Sequence, residues 1–278
     1  MSLKDLEEKS IQIIREANAQ LKNPAMLWSI GKDSTVLLWL ARKAGMGRVP
    51  FPVVHIDTHR KFKEIYEFRD KYAKEWGLDL RIATIKEPKY AVEKDGVMKC
   101  CEERKTQALK NFLAKEKFDG IFVGIRRDEH GIRAKERYFS PRDKEFHWNV
   151  AREKLGGDSG LESQQDTELS GWSLFDTDFG ENTDHVRVHP LLHWGEKDIW
   201  EYIRKENIPM VSLYFAKNGK RFRSIGCECC CEPINSSAFN LDEIVEELGK
   251  TKTAERAGRA QDKEDSNIME QLRALGYL

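Results

Sequence analysis

Three groups of residues in this 278-residue chain have types and spacing suited to chemistry. The first is Ser29-Ile30-Gly31-Lys32-Asp33-Ser34, set between an apolar strand end and an apolar helix. Such a turn presents backbone N–H groups at a helix N-terminus, where the macrodipole favours an anion. Gly31 lets the backbone approach an oxyanion closely, Lys32 adds a mobile positive charge, and Ser34 has the hydroxyl to cap the helix or reach a phosphate oxygen. The plain alternative is an ordinary helix cap that happens to contain lysine. The Gly-x-x-x-x-Gly-Lys-Ser/Thr spacing of a Walker loop is absent. The second group is Arg126-Arg127-Asp128-Glu129, with Arg133, Lys135, Arg137 and Arg142 close behind. A planar guanidinium fork matches phosphate or sulfate oxygens. The interleaved Asp128, Glu129, Glu136, Asp143 and Glu145 also suit a solvated charged face. The third group is the six cysteines, Cys100-Cys101 and Cys227, Cys229, Cys230 and Cys231.

Positioning these groups requires a regular scaffold. Apolar spacing predicts a helix over 3–21, a strand at 25–28, and a helix over 34–43 that Gly45 and Gly47 end. Phe51-Pro-Val-Val-His-Ile-Asp57 reads as a strand buried on both faces, with Asp57 and Thr58 at its C-terminal end. A helix over 62–76 places Ile65, Phe68, Tyr72 and Trp76 on one side. Strands are expected at 80–85, 120–124 and 186–190, and helices at 105–115, 194–206, 241–248 and 267–275. The repeated strand–helix order argues for an α/β fold with a parallel sheet covered by helices on both faces. Arg126 and Arg127 then follow a strand's C-terminal end, where ligands gather in open sheets. Residues 153–184 lack periodicity and read as a lid-like excursion. The organisation expected is a nucleotide domain over 1–210 and a C-terminal segment over 211–278 that carries the cysteine cluster.

Composition sets the outer bounds. Hydrophobic content of 40% and charged content of 34% suit a soluble globular protein. A net formal charge of zero gives no global field toward nucleic acid or membrane. No apolar run reaches bilayer length and no signal-peptide pattern opens the chain, so the expectation is cytoplasmic, with no membrane partner. In that compartment six cysteines are expected to be metal ligands or reactive thiols rather than disulfides.

Ser29 to Ser34 resembles the Ser-x-Gly-x-Asp-Ser pyrophosphate loop of the N-type ATP pyrophosphatases, which cut ATP between its α and β phosphates. The resemblance widens along the chain. Met26 to Ser34, Phe51 to Thr58, Lys61 to Asp70, Gly124-Ile-Arg-Arg-Asp-Glu129, Arg133-Ala-Lys-Glu-Arg137, Asp198-Ile-Trp-Glu-Tyr-Ile203 and Glu255-Arg-Ala-Gly-Arg259 all look like the small subunit of bacterial sulfate adenylyltransferase. This implies an adenine-nucleotide α-hydrolase fold and a GTPase large subunit as partner. It also implies a nucleotide-binding set of Ser29, Gly31, Lys32, Asp33, Ser34, His55, Asp57 and Gly124. Catalysis would fall to Lys32, Asp33, Arg126 and Arg127, with magnesium on Asp33 or Asp57.

The cysteines depart from that pattern. Cys100-Cys101-Glu-Glu-Arg-Lys105 and Gly226-Cys-Glu-Cys-Cys-Cys231 resemble the adenylylsulfate reductases, in which such cysteines hold a [4Fe-4S] cluster. The ligands implied here are Cys100, Cys101, Cys227 and Cys230, leaving Cys229 and Cys231 as extra thiols. Zinc is the alternative metal, although adjacent ligands strain a zinc knuckle. Inert buried thiols are a third choice that fits poorly with the charged neighbours. The reductase reading itself is disfavoured, because no further cysteine follows Cys231 in this sequence to act as its nucleophile. The favoured expectation is therefore a cluster-dependent sulfurtransferase that adenylates a nucleic-acid acceptor, as in tRNA thiolation or DNA phosphorothioation, supplied by a cysteine desulfurase. The alternative is sulfate adenylation with the GTPase partner. Either is compatible with an oligomer.

Overall fold

A computed structural model describes residues 1–129, 133, 136–147, 183–251, 255–256 and 259. The chain begins with a reciprocal cap. Ser2 Oγ accepts the Asp5 N–H, and the Asp5 carboxylate accepts the Ser2 N–H, which starts helix α1 (Leu3–Gln20). Four parallel strands follow in chain order: β1 (Pro24–Leu27), β2 (Val53–Ile56), β3 (Leu80–Ala83) and β4 (Gly120–Phe122). Helices α2 (Lys32–Ala44) and α3 (Lys63–Glu75) link the first three. With β5 (Phe139–Arg142) and β6 (His185–Val188), the six-stranded sheet runs β3-β2-β1-β4-β6-β5. Strands β2 and β3 therefore extend one side of β1, and the chain crosses to the other side for β4. That reversal opens a crevice at the C-terminal ends of β1 and β4.

The α/β class agrees with the sequence, but the sheet is not wholly parallel. Strand β5 (Phe139–Arg142) lies antiparallel to β6 (His185–Val188) at one edge. An edge tolerates Pro141, whose missing N–H would break an internal ladder. The inward residues of β5 are Ser140 and Arg142, both bound to Glu136, so no apolar pattern advertises the strand.

The helix expected over 105–115 begins earlier and is irregular. Helix α4 (Val92–Cys101) bends at Gly96 (φ 82°), continues through a π-helical stretch at Glu102–Gln107, and becomes α5 (Ala108–Glu116). A π stretch inserts extra backbone per turn and re-aims the side chains on it. Here it turns Lys105 and Thr106 toward the crevice. Ile65, Phe68, Tyr72 and Trp76 do share one face of the α3 region, where Trp28 packs on Phe68 and Trp76. Each such aromatic contributes roughly 1.5–3 kcal/mol by leaving water.

Beyond β6, a helix at Glu196–Glu206 packs on α2, and Asn207 ends it in the left-handed region (φ 51°). A two-stranded hairpin, β7 (Lys220–Arg221) with β8 (Ile234–Asn235), brackets the second cysteine group. A helix at Leu241–Lys250 starts on the Asn240 side chain. The helix expected over 267–275 and residues 153–182 of the expected excursion lie outside the described residues. Among the described residues, no helix is long and apolar enough to cross a membrane.

Candidate active site

The loop after β1 is built around an uncommon backbone. Ile30 adopts φ 66°, a region that β-branched residues rarely enter, and its side chain is fully buried. Such strain costs on the order of 1–3 kcal/mol and persists where surrounding packing fixes it, typically at functional sites. Gly31, by contrast, is extended (φ −75°) and serves as the N-cap of α2. Its missing side chain leaves room, since a Cβ there would lie 3.3 Å from Ser29 Oγ. Ser34 does not cap the helix. It sits in the first turn, where its hydroxyl donates to Gly31 O and meets Ser29 Oγ at 3.0 Å. The Lys32 N–H is held by Tyr214 Oη at 2.9 Å, a partner that sequence spacing gave no reason to expect. Gly124, at the end of β4, lets that strand close on the loop: a Cβ there would lie 3.0 Å from Ser34 N and Cα.

Behind the loop is an ion network. The buried Arg126 donates to Asp33, to Asp128 (2.9 Å) and to Glu255. Lys32 Nζ meets Glu255 and lies 3.3 Å from Asp33. Glu129 is bound by Arg133 and by Arg256 (3.1 Å). Burial opposes ionisation of both glutamates. Arg133 and Arg256 nevertheless hold Glu129 well below the usual carboxylate range, and Lys32 and Arg126 do the same for Glu255. The crevice wall holds the loop together with Lys61, Lys105, Thr106, Arg256 and Arg259. Its apolar part comprises Leu27, Val54, Ile56, Leu109, Val123 and Ile125. An apolar slot beside a row of N–H donors and cations suits a nucleoside with its phosphates.

The structure brings Ser29, Gly31, Lys32, Asp33, Ser34, Gly124 and Arg126 together, but not the rest of the expected set. Arg127 donates to Glu136 O (2.9 Å) and contacts His193, outside the crevice wall. His55 is buried on β2 with Nδ1 on Trp28 O, and burial lowers its pKa to about 4, so it is a neutral core residue. The Asp57 carboxylate accepts the His59 N–H and the Tyr66 hydroxyl, each at 2.8 Å, and does not line the crevice. Of the two aspartates expected to meet magnesium, Asp33 is the one in the cleft. From the basic run, Arg133 reaches the cleft, while Arg142 is buried on Glu136. Glu129, read from sequence as one of the acids interleaved with the basic run, completes the site together with Glu255, Tyr214 and Arg259. The sole sequence signal for Glu255 and Arg259 is the Glu255–Arg259 stretch, and Tyr214 has none.

The two cysteine groups meet beside this cleft. Cys227 Sγ lies 3.2 Å from Thr58 Oγ1, and Cys231 Sγ accepts from Gly226 N and Arg259 Nη1, each at 3.0 Å. Burial works against the Cys227 thiolate, but Lys105, Lys61 and Arg259 bring its pKa down to about 7. Burial raises the Cys100 and Cys230 thiols, and neighbouring thiols raise them further: Cys101, Cys227 and Cys229 for Cys100, and Cys229, Cys227 and Cys101 for Cys230. Mutual thiolate repulsion of this kind is what iron charge would relieve. Among the described residues, no three Cys, His, Asp or Glu side chains form a group that could hold a metal ion.

The Phosphoadenosine phosphosulfate reductase domain pattern matches residues 23–233. Sulfate adenylyltransferase subunit 2 of Saccharophagus degradans is 41% identical over 99% of this chain and 97% of its own length. The subunit 2 protein of Sulfurimonas denitrificans is 40% identical with the same coverage. The chain belongs to the phosphoadenosine phosphosulfate reductase domain family. It is an adenylyl-transferring enzyme of that family, similar over its whole length to sulfate adenylyltransferase subunit 2. Solved structures agree on the fold. Candida glabrata FMN adenylyltransferase with ATP aligns at TM-score 0.54 and 19% identity, covering 98% of this chain and 80% of the other. The phosphoadenylyl-sulfate reductase of Candida auris aligns at TM-score 0.50 and 15% identity, covering 84% and 98%.

Proposed function

We propose that this chain is the ATP-cleaving subunit of a sulfate adenylyltransferase. A sulfate oxygen attacks the α-phosphorus of ATP, the bond from that phosphorus to the bridging oxygen breaks, and adenylylsulfate and pyrophosphate leave. The observation that carries this reading is the 41% identity over 99% of the chain to a sulfate adenylyltransferase subunit 2, and the convergence of Lys32 and Arg126 on one anion seat at the end of β1 supports the ATP cleavage it requires. Catalysis of this kind is mainly positioning and charge stabilisation. The Ser29–Ser34 loop and its N–H groups orient the departing pyrophosphate, and Lys32 and Arg126 neutralise the charge that builds on it. Asp33 is the cleft carboxylate suited to magnesium, which would spread the phosphate charge when bound. Sulfate adenylation is strongly uphill. The subunit 2 names of the relatives therefore support a partner large subunit, a GTPase by the resemblance, to drive it.

A second reading has one observation in its favour, the gathering of Cys100, Cys101, Cys227, Cys229 and Cys230 beside the ATP cleft. Cys100, Cys101, Cys227 and Cys230 would hold a [4Fe-4S] cluster, which would offer iron sites for sulfide. The enzyme would then adenylate a nucleic-acid acceptor for thiolation, with a cysteine desulfurase as sulfur source.

Pyrophosphate release separates the two readings. The anaerobically purified chain is assayed with sulfate and a GTPase large subunit, and separately with nucleic acid and a desulfurase. Release dependent on sulfate is expected, and release only with nucleic acid would overturn the first reading. Lys32→Ala should lower the rate by roughly 10²–10³-fold, the usual cost of one stabilising donor. Visible and paramagnetic spectra of the same preparation report the cluster.

A further inference from the structure

Glu255 lies 223 positions beyond Lys32 in sequence, yet one of its oxygens meets Lys32 Nζ and the other meets Arg126 Nη2. Both cations assigned above to the departing pyrophosphate are thus held by a single carboxylate, whose side chain is 6% exposed. Lys32, Arg126, Arg133 and Arg256 are ion-paired with Asp33, Asp128, Glu129 and Glu255, while Lys61, Lys105 and Arg259 line the rest of the cleft. A triphosphate reaching Lys32 and Arg126 would confront Glu255 across the same two cations. Like charges at such range in a poorly solvated site repel strongly. Exchange removes that repulsion: the phosphate takes the seat and the carboxylate leaves it. The neighbouring arginines keep this part of the chain at the cleft border while Glu255 fills the seat. Arg256 binds Glu129, and Arg259 binds Ser224 Oγ, Ile225 O and Cys231 Sγ.

We propose that Glu255 is an autoinhibitory carboxylate, a resident stand-in for phosphate that ATP must displace from Lys32 and Arg126. Nucleotide occupancy and the position of Glu255 are then coupled. This inference rests on the pyrophosphate-loop reading, although it does not depend on which acceptor is adenylated.

The test is calorimetric titration of the full chain with inorganic pyrophosphate, with magnesium and with chelator, for the native protein, Glu255→Gln and Lys32→Ala. If Glu255 fills the seat in about nine molecules of ten, Glu255→Gln should bind roughly tenfold more tightly in both media. Unchanged affinity, or weaker binding confined to the magnesium series, would overturn the proposal; the second result would make Glu255 a metal ligand. Lys32→Ala is the separate control. If it binds pyrophosphate as the native chain does, the loop reading fails. If it loses binding while Glu255→Gln gains nothing, the Glu255 proposal fails alone. Hydrogen exchange on the native protein guards against a misfolded variant. Protection of the amides around Glu255 should fall on adding pyrophosphate, and unaltered protection overturns the inference.

Discussion

A pyrophosphate site in this chain comes down to how closely backbone can approach backbone. Gly124 is the sharpest instance, because a Cβ there would press on Ser34 N, Ser34 Cα and Asp33 C at 3.0–3.1 Å. None of those atoms can rotate away, so in Gly124→Ala the loop must shift off the end of β4. The expected outcome is a stable protein whose KM for ATP rises at least about tenfold, a loss of roughly 1.4 kcal/mol in binding. Steady-state kinetics on a variant with native circular dichroism checks it, and an unchanged KM would show that the loop tolerates the displacement. Ile30 illustrates the same demand from the opposite side. The left-handed residue of the loop is the bulky neighbour of Gly31, not the glycine, and its burial in the core supplies the packing that holds it there.

The elements explain what could and could not be read from the residues alone. Strands β1 to β4 and helices α2 and α3 were legible because their apolar runs are long and their punctuation is clear, with Gly45 ending α2 as expected. Strand β5 was not, since Ser140 and Arg142 are buried through Glu136 rather than through hydrophobicity. Nor was the π stretch at Glu102–Gln107, whose register depends on tertiary packing and not on local preference. Histidines were equally opaque. His55 entered the expected nucleotide set only through the resemblance, whereas it, His185 and His189 are buried on or beside β2 and β6. Burial lowers their pKa values from near 6.5 to about 4, 3 and 4. The unfolded chain therefore binds protons that the native state refuses as pH falls below 6.5. From these groups stability should fall as pH drops between about 6.5 and 4, by up to about 1.4 kcal/mol per pH unit for each histidine, whereas Cys227, lowered to about 7, adds its own pH dependence above that range. Glu129 and Glu255, with lowered pKa values, keep their contribution until pH drops below the ordinary carboxylate range near 4.5. Melting temperatures measured from pH 6.5 to 5 thus report the histidines, and a flat profile there would contradict their burial in neutral form.

Across the whole molecule, the cleft is assembled from segments far apart in the chain: the loop after β1, the π stretch, the end of β4, the turn before Cys227, and the residues Glu255, Arg256 and Arg259. Gly226 is the joint between the last two. A Cβ on Gly226 would lie 1.7 Å from Arg259 Nη1, so the guanidinium can pass only because that side chain is missing. Through this gap Arg259 reaches Ser224, Ile225 O and Cys231, and its backbone bridges to Cys231. In Gly226→Ala the sheet has no reason to change, because the obstructed atoms are the far end of a flexible arginine. The expected loss is therefore local, about 1–2 kcal/mol from the broken hydrogen bonds, or a few degrees in Tm for a chain of this size. What should change is access. Arg256 and Arg259 are tryptic sites, and limited proteolysis should cut there several-fold faster in Gly226→Ala than in the native chain, with the sheet still intact. Equal cleavage rates would mean that the C-terminal residues are held to the cleft by the Glu255 and Glu129 ion pairs alone, and that Arg259 has no part in closing it.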